Sequence, residues 1–180
     1  MEVITDISFA DILKKENLDK ANLQNLVVEK LRQNSLHLAT AESCTGGLIS
    51  KKITEVAGSS EVFDCGVCSY ANFIKHKVLG VKNETLEKLG AVSPECAVEM
   101  AKGVAQLSNA DIGVSTTGIA GPGGGTPQKP VGLVYIGIYT KRKSYAIKAL
   151  LNESGKNNRE KIRELASCIA LYTILLKNAN

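Results

Sequence analysis

Hydrophobic residues recur along this chain with two different periods, and their alternation predicts an α/β protein. Helical spacing predicts helices over residues 19–33, 47–57, 72–79, 84–89, 94–107 and 158–177. Short apolar runs bounded by turn residues predict strands over 36–41, 62–69, 111–117, 131–140 and 144–151. The basic turn at 141–143 joins the last two strands as a hairpin, which places one antiparallel strand in the sheet.

No internal repeat, low-complexity segment or linker interrupts this order of elements. A chain of 180 residues is long enough for one well-cored domain, whereas two domains would be cramped. We therefore predict a single domain over residues 1–180, in which residues 1–20 form a variable N-terminal lead-in. Patterning in the lead-in is weak and indicates only a short capped turn at 8–11.

The amino-acid composition and the charge of the chain argue against a nucleic-acid-binding function. Apolar residues make up 44% of the chain and charged residues 22%, as in ordinary globular proteins. The net charge is +4, but the basic residues are scattered, and the chain has no Trp and three Phe. A protein that binds single-stranded nucleic acid needs a basic groove with stacking aromatics. We therefore expect no nucleic-acid partner.

The location and the redox state of the protein are also predicted from the sequence. The first residues lack the basic and apolar regions of a secretory signal, and the longest apolar stretch, 165–176, is too short to span a bilayer. Five cysteines without framework spacing suit a reducing cytoplasm. Cys65 and Cys68 spell C-x-x-C within a predicted strand, where their thiols face opposite sides. We expect a soluble cytoplasmic protein without a metal.

Residues 41–47 (Ala-Glu-Ser-Cys-Thr-Gly-Gly) carry the strongest chemical signal. A strand ends here, turns at Ser43 and becomes a helix after two glycines. Such a turn raises a serine hydroxyl to the edge of a sheet and aims free backbone N–H groups at the same place. This geometry suits a nucleophile with an oxyanion hole, and it also suits a bound anion. A plain helix cap by Ser43 or Thr45 fits the same pattern.

A glycine-rich loop follows the strand at 111–117. Six glycines between Gly118 and Gly132 allow the backbone to approach a ligand closely. The loop is neither a P-loop, since Gly124 stands where lysine is required, nor a Rossmann fingerprint. If strands 36–41 and 111–117 are parallel neighbours, Ser43 and Thr117 face one crevice beyond the carboxyl ends of the strands. A surface loop without a ligand is the alternative.

A serine nucleophile needs a base, and this chain offers few histidines. Only His37 and His76 exist, and His37 lies within a predicted strand. Lysine can act as a base when burial or neighbouring charge lowers its pKa. Lys75 follows the strand at 62–69 at a comparable edge of the sheet and is the best-placed candidate, with His76 as its rival. Without a partner, Lys75 would be an ordinary solvated lysine.

Six segments together resemble the CinA C-terminal domain family. They are residues 41–47 (AESCTGG), 70–75 (YANFIK), 90–93 (GAVS), 118–124 (GIAGPGG), 129–132 (KPVG) and 158–163 (NREKIR). The resemblance covers about residues 25–177, and several motifs in the same order make it specific. It implies a three-layer α/β/α sandwich with a mixed, mostly parallel five-stranded sheet.

The characterised members of this family are nicotinamide-nucleotide amidases. The resemblance therefore implies hydrolysis of nicotinamide mononucleotide to nicotinate mononucleotide and ammonia, in pyridine nucleotide salvage. It also implies a serine–lysine mechanism without metal or cofactor, a small-molecule nucleotide as partner, and a homodimer. A non-catalytic nucleotide-binding module, or an accessory module associated with competence or damage, could use the same crevice and remains the alternative.

The resemblance also assigns roles to individual residues. It implies Ser43 as the nucleophile, Lys75 as the base and Tyr70 as an assisting hydroxyl. Residues expected to bind the substrate or position its amide are Glu42, Thr45, Gly46, Gly47, Asn72, Thr117, Gly118, Gly121 and Arg159.

The position of Arg159 suggests where a phosphate binds. An arginine in the first turn of a helix is unfavourable for the helix dipole, and an anion beside it would compensate. We therefore expect the phosphate against the glycine loop or near the start of the last helix. The alternative is that Arg159 and Arg163 form ion pairs with Glu160 or Glu164, or an interface.

Overall fold

The strands of this protein form one mixed sheet. The computed structural model describes residues 2–4, 22–152 and 155–177. Within these residues the strands are β1 Glu2–Ile4, β2 Leu38–Glu42, β3 Phe63–Cys68, β4 Ile112–Gly118, β5 Leu133–Thr140 and β6 Ser144–Leu150. The α-helices are α1 Leu23–Gln33, α2 Leu48–Thr54, α3 Asn72–Leu79, α4 Asn83–Lys88, α5 Pro94–Ser108 and α6 Arg159–Lys177.

The order of the strands brings three carboxyl ends to one edge. The described strands lie in the order β1-β6-β5-β4-β2-β3. Strand β2 is parallel to both β3 and β4, while β5 is antiparallel to β4 and β6. Glu42, the last residue of β2, is in register with Cys68 of β3 and Thr116 of β4. Strands β2 and β4 are therefore parallel neighbours, which is the condition under which Ser43 and Thr117 face one crevice.

Helices cover both faces of the sheet, which confirms the three-layer α/β/α sandwich. Helix α5 packs on the strands from β2 to β6 and carries α3 and α4 on its outer side. Helices α1, α2 and α6 pack together on the opposite face. The two apolar cores follow this division, because alternate residues of β2 point to opposite faces: Leu38 joins the α6 side, and Ala39 and Ala41 join the α5 side.

Helix α5 approaches the sheet closely because two strand residues are glycines. A Cβ at Gly113 would lie 1.9 Å from the carbonyl oxygen of Ala101, and one at Gly137 would lie 2.1 Å from that of Ala97. Ser115 also donates a hydrogen bond of 2.5 Å to the Ala97 carbonyl. These contacts fix the start of α5, and with it the preceding turn, beside the carboxyl end of β4.

The structure departs from the sequence prediction mainly at the N-terminus. Residues 2–4 form strand β1, which is parallel to β6 and adds a sixth strand outside the five that were predicted. The remainder of the lead-in, including the turn predicted at 8–11, lies outside the described residues. Within the described part of the chain, no helix is long and apolar enough to cross a membrane.

Candidate active site

A crevice opens where β2, β3 and β4 end. Its volume is about 280 Å³. The elements that border it are the turn after β2, the start of α3, the turn before α5, the glycine-rich loop and the start of α6. The lining residues are Ser43, Cys44, Tyr70, Asn72, Lys75, Ala91, Val92, Thr117, Gly118, Ile119, Ala120, Gly121, Gly123, Gly124 and Arg159.

Ser43 lies at the sharp end of β2. Its backbone N–H donates to the Thr116 carbonyl at 2.9 Å, so the residue still belongs to the ladder with β4. The chain then turns through Gly46 and Gly47, whose φ angles are +60° and +93°. Residues with a Cβ rarely adopt these angles, which explains why two glycines follow the serine. The turn therefore leaves the Ser43 hydroxyl at the crevice.

Glu42 has a structural role instead of the predicted contact with substrate. Its side chain is fully buried. The carboxylate accepts the N–H groups of Gly47, Ile49 and Ser50 at 2.9, 3.1 and 2.8 Å, and the Ser50 hydroxyl at 2.7 Å. Glu42 thus caps the N-terminus of α2. The alternative interpretation of the sequence had assigned this capping role to Ser43 or Thr45. Because this N-terminus is already occupied by a carboxylate, it is not available to a substrate anion.

We expect Glu42→Gln to destabilise the protein. An amide keeps one acceptor oxygen and turns N–H donors toward backbone N–H groups, which leaves buried donors unpaired at a cost of about 2–3 kcal/mol. Urea denaturation measures the loss. Glu55→Gln is the matched control, since Glu55 is an exposed carboxylate paired with Lys51 on the same helix. Equal stability of the two variants would contradict the capping role.

Thr45, Gly46 and Gly47, predicted to bind substrate, are not among the residues that line the crevice. The buried Thr45 hydroxyl is 2.6 Å from the Thr116 hydroxyl, and the Gly47 N–H is bound to Glu42. Within the described part of the chain, the N–H groups of Cys44, Thr45 and Gly46 have no carbonyl or carboxylate acceptor. Of these, the Cys44 N–H is the candidate donor to an oxyanion. It follows the serine directly, as an oxyanion-hole donor does after a nucleophile at a strand-to-helix turn.

Lys75 reaches the Ser43 hydroxyl from α3. Its side chain is only 1% exposed. The Nζ atom lies 3.1 Å from Ser43 Oγ and donates to the carbonyl oxygens of Ser69 and Tyr70 at 2.6 and 3.3 Å. Among the described carboxylates none forms an ion pair with it. Burial therefore lowers the pKa of Lys75 from its usual value.

The three contacts of Lys75 fit both protonation states of its amine. The charged ammonium has three N–H donors, one for each of the three oxygens. The neutral amine has two N–H donors and one lone pair. Carbonyl oxygens only accept, so the two N–H groups stay with Ser69 and Tyr70, and the lone pair is left for the Ser43 O–H. The site can therefore hold a proton on either Ser43 or Lys75 without rearranging.

Tyr70 contacts the lysine differently from the prediction. Its carbonyl, and not its hydroxyl, accepts from Lys75. The side chain is 67% exposed, and its hydroxyl accepts from Arg159 Nη2 at 3.0 Å. The predicted proton relay through the Tyr70 hydroxyl therefore has no contact to support it, because that oxygen is directed to the guanidinium at the start of α6.

Arg159 borders the crevice from its far side. Its Nη1 donates to the Gly121 carbonyl at 2.7 Å, which ties the glycine-rich loop to α6. Arg159 forms no ion pair with the described carboxylates, and Glu164 pairs with Lys52 instead. The ion pairs considered as the alternative for Arg159 are thus not formed, and its charge remains at the crevice.

The remaining residues that were predicted to bind substrate line the crevice, but the hydroxyl of one of them already donates a hydrogen bond within the protein. Asn72, Gly118 and Gly121 are at its wall. Thr117 is also there, but its hydroxyl donates to the Ala91 carbonyl at 2.7 Å. Thr117 therefore holds the turn before α5 in place and is not free to position an amide.

Neither histidine competes with Lys75 as a base. His76 Nδ1 lies 2.8 Å from the Val81 carbonyl, away from the crevice. His37 precedes β2 at the opposite end of the sheet, where Nδ1 is 2.8 Å from Asp64 Oδ1. The hydrogen bond to that carboxylate raises the pKa of His37.

Comparison with known proteins identifies the chain's relatives. The model of the CinA C-terminal domain matches residues 20–177. A CinA-like protein of Kosmotoga olearia is 53% identical over 150 residues, which are 83% of this chain and 35% of that protein. The chain spans about a third of the length of the curated relatives it matches.

Solved structures share both sequence and fold with the chain. The crystal structure of the competence/damage inducible protein CihA from Agrobacterium tumefaciens is 39% identical with a TM-score of 0.83, covering 88% of this chain and 95% of that one. A CinA superfamily protein from Klebsiella pneumoniae is 30% identical with a TM-score of 0.84, covering 90% and 99%.

Proposed function

The chain belongs to the CinA C-terminal domain family, and we propose that it is an amidohydrolase acting on nicotinamide mononucleotide. In this proposal Ser43 attacks the carboxamide and Lys75 handles the proton. The products are nicotinate mononucleotide and ammonia, in pyridine nucleotide salvage. The names of the relatives describe competence and damage and do not specify this reaction. The proposed chemistry therefore rests on the site, and the proposed substrate rests on the resemblance described above.

The observation that carries the proposal is the contact between Ser43 Oγ and Lys75 Nζ, 3.1 Å apart at the end of a crevice. A buried lysine without a carboxylate is costly unless the amine can be neutral. A neutral amine whose lone pair is left for a serine hydroxyl is a general base in place. A plain binding module has no need of this arrangement.

The reaction follows from these two groups. As Ser43 Oγ bonds to the carboxamide carbon, its proton passes to Lys75 Nζ. The resulting ammonium then protonates the amide nitrogen, the C–N bond breaks and ammonia leaves. Water then attacks the acyl carbon and gives one proton to Lys75 Nζ. The bond between that carbon and Ser43 Oγ breaks, nicotinate mononucleotide leaves, and Lys75 returns the proton to Ser43 Oγ. The Cys44 N–H is the candidate donor to the oxyanion.

The charge of the crevice favours an anionic substrate. Its two ionisable bases are Lys75 and Arg159, and none of the described residues that line it is acidic. The N-terminus of α2 is closed by Glu42, so Arg159 and the glycine-rich loop are the groups left for a phosphate. An amide bound at Ser43 and a phosphate at Arg159 would place a nucleotide along the crevice.

We expect Arg159→Met to weaken binding of the nucleotide and to leave binding of the nucleoside almost unchanged. A lost charge-assisted hydrogen bond costs about 1.5–3 kcal/mol, which corresponds to roughly 10- to 150-fold in affinity. Calorimetric titration of the Ser43→Ala protein with nicotinamide mononucleotide and with nicotinamide riboside measures both affinities without turnover.

Arg142→Met is the matched control for that experiment. It removes the same charge from the exposed β5–β6 turn at the opposite end of the sheet. Equal affinities of the unchanged crevice for nucleotide and nucleoside would exclude a phosphate site, whatever the arginine variants do.

Ammonia release decides between the proposed enzyme and a binding module. The protein is incubated with nicotinamide mononucleotide, and the amounts of ammonia and nicotinate mononucleotide are measured. We expect the two products in equal amounts. Tight binding of the nucleotide without ammonia would favour the non-catalytic module and reject the amidase.

A further inference from the structure

A second arginine of α6 contacts the turn that carries Ser43. Arg163 Nε and Nη2 both donate to the Thr45 carbonyl oxygen, at 3.2 and 2.7 Å. Arg163 is half-buried and forms no ion pair with the described carboxylates. One side of its guanidinium is therefore committed to a single backbone carbonyl, whose two lone pairs it fills.

Gly46 makes room for this contact. A Cβ built at Gly46 would lie 3.3 Å from Arg163 Nη2, tighter than an ordinary van der Waals contact. The φ of +60° at Gly46 already disfavours a side chain. The glycine thus serves the turn and also lets the guanidinium lie directly against it.

We infer that Arg163 is a positioning residue that fixes the turn from Ser43 to Gly46 and thereby sets kcat. The doubly bonded Thr45 carbonyl fixes the plane of the Thr45–Gly46 peptide, because a peptide unit is rigid. Rotation of that plane would redirect the Gly46 N–H and shift the Cys44 and Ser43 residues that precede it in the same turn. The inference rests on the proposed function in that it takes Ser43 as the nucleophile.

We expect the two arginines of α6, Arg159 and Arg163, to affect different kinetic constants. Arg159 lines the crevice, whereas Arg163 lies behind the turn and does not reach it. An interaction that places reacting groups affects kcat, and one that holds the substrate equally in ground and transition state affects KM. Arg163 variants should therefore lose kcat, and Arg159 variants should mainly gain KM.

Arg32 supplies a matched control for the loss of an arginine tie. Arg32 of α1 also donates through Nη2 to a carbonyl at a glycine turn, that of Gly58, at 3.3 Å. A Cβ at Gly58 would lie 2.5 Å from that Nη2. The contact resembles that of Arg163 in its carbonyl acceptor but lies outside the crevice, and Arg32 also forms ion pairs with Glu29 and Glu61. A loss of activity that arises only from a loosened helix would appear in Arg32→Met as well.

The test compares kcat and KM for Arg163→Met, Arg163→Lys and Arg32→Met. We expect Arg163→Met to lower kcat by roughly 10²-fold, as for a small misplacement of reacting groups, with KM nearly unchanged. Arg163→Lys keeps a charge and one donor for Thr45 and should be intermediate. Arg32→Met should keep the kcat of the wild type. Thermal melts of each variant measure the folded fraction.

A second readout is independent of the nucleotide. Diisopropyl fluorophosphate reacts with an activated serine: the Ser43 Oγ–P bond forms, the P–F bond breaks, fluoride leaves and Lys75 takes the proton. The rate of labelling, followed by intact-protein mass, should fall in Arg163→Met by a factor similar to that of kcat. Arg32→Met should be labelled at the rate of the wild type.

The outcomes separate the two proposals. If the wild type is active and labelled while Arg163→Met matches it in both assays, the positioning role is wrong and the amidase stands. If Arg163→Met loses activity only in proportion to its unfolded fraction while Arg163→Lys is fully active, Arg163 is a structural tie and the inference also fails. If the wild type neither releases ammonia nor is labelled, the proposed function fails and takes the inference with it.

Discussion

Replacing Ser43 by alanine is expected to lower kcat for ammonia release by roughly 10³-fold or more, as removal of a nucleophile does in other hydrolases. The variant loses only an Oγ atom at the crevice, while the backbone bond from Ser43 N–H to the Thr116 carbonyl remains. Folding and nucleotide binding should therefore survive. The measurement is the initial rate of ammonia release beside an affinity for the nucleotide.

Cys44 is the neighbour that could be mistaken for the nucleophile. Burial raises the pKa of its thiol to about 12, so the reactive thiolate is scarce at neutral pH. We therefore expect Cys44→Ser to keep activity and Ser43→Ala to lose it. The opposite result, with turnover abolished by thiol alkylation and retained in Ser43→Ala, would assign the chemistry to Cys44.

The fold was largely predictable because its signals are local. Helix α5, for example, begins at Pro94 with Ser93 as its cap, and the Ser93 hydroxyl accepts from the Cys96 N–H at 3.3 Å as the pattern predicted. Strand β1 was missed because three residues at an edge carry no period to detect, and their pairing with β6 is made over a long sequence separation.

The site was predictable only where side-chain identity carries the chemistry. Ser43 and Lys75 were found from a turn pattern, a shortage of histidines and a family resemblance, and the structure brings them together. Glu42 was misassigned, since a carboxylate beside a nucleophile has the same sequence appearance whether it binds substrate or caps a helix. The Ser69 and Tyr70 carbonyls were missed because backbone groups leave no mark in the sequence.

Lys75→Arg is the sharpest test of the base, and we expect it to lower kcat/KM by roughly 10²- to 10⁴-fold. A guanidinium keeps the charge and the donors of the ammonium but does not lose its proton at any accessible pH. Lys75→Ala should be equally impaired. His76→Ala should stay active, because His76 Nδ1 is engaged by the Val81 carbonyl and lies away from Ser43.

The dependence of kcat/KM on pH tests which protonation state of Lys75 is active. Burial lowers the pKa of Lys75 below its usual value of 10.5, so the neutral amine is populated at a lower pH than for a free lysine. Since the neutral form is the active base, kcat/KM should rise with pH through that lowered pKa, and this limb should vanish in Lys75→Arg. The opposite outcome is that both Lys75 variants keep their activity and the rise of kcat/KM with pH, while His76→Ala loses both. The base would then be His76, and the contacts of the Lys75 amine with its three oxygens would have only a structural role.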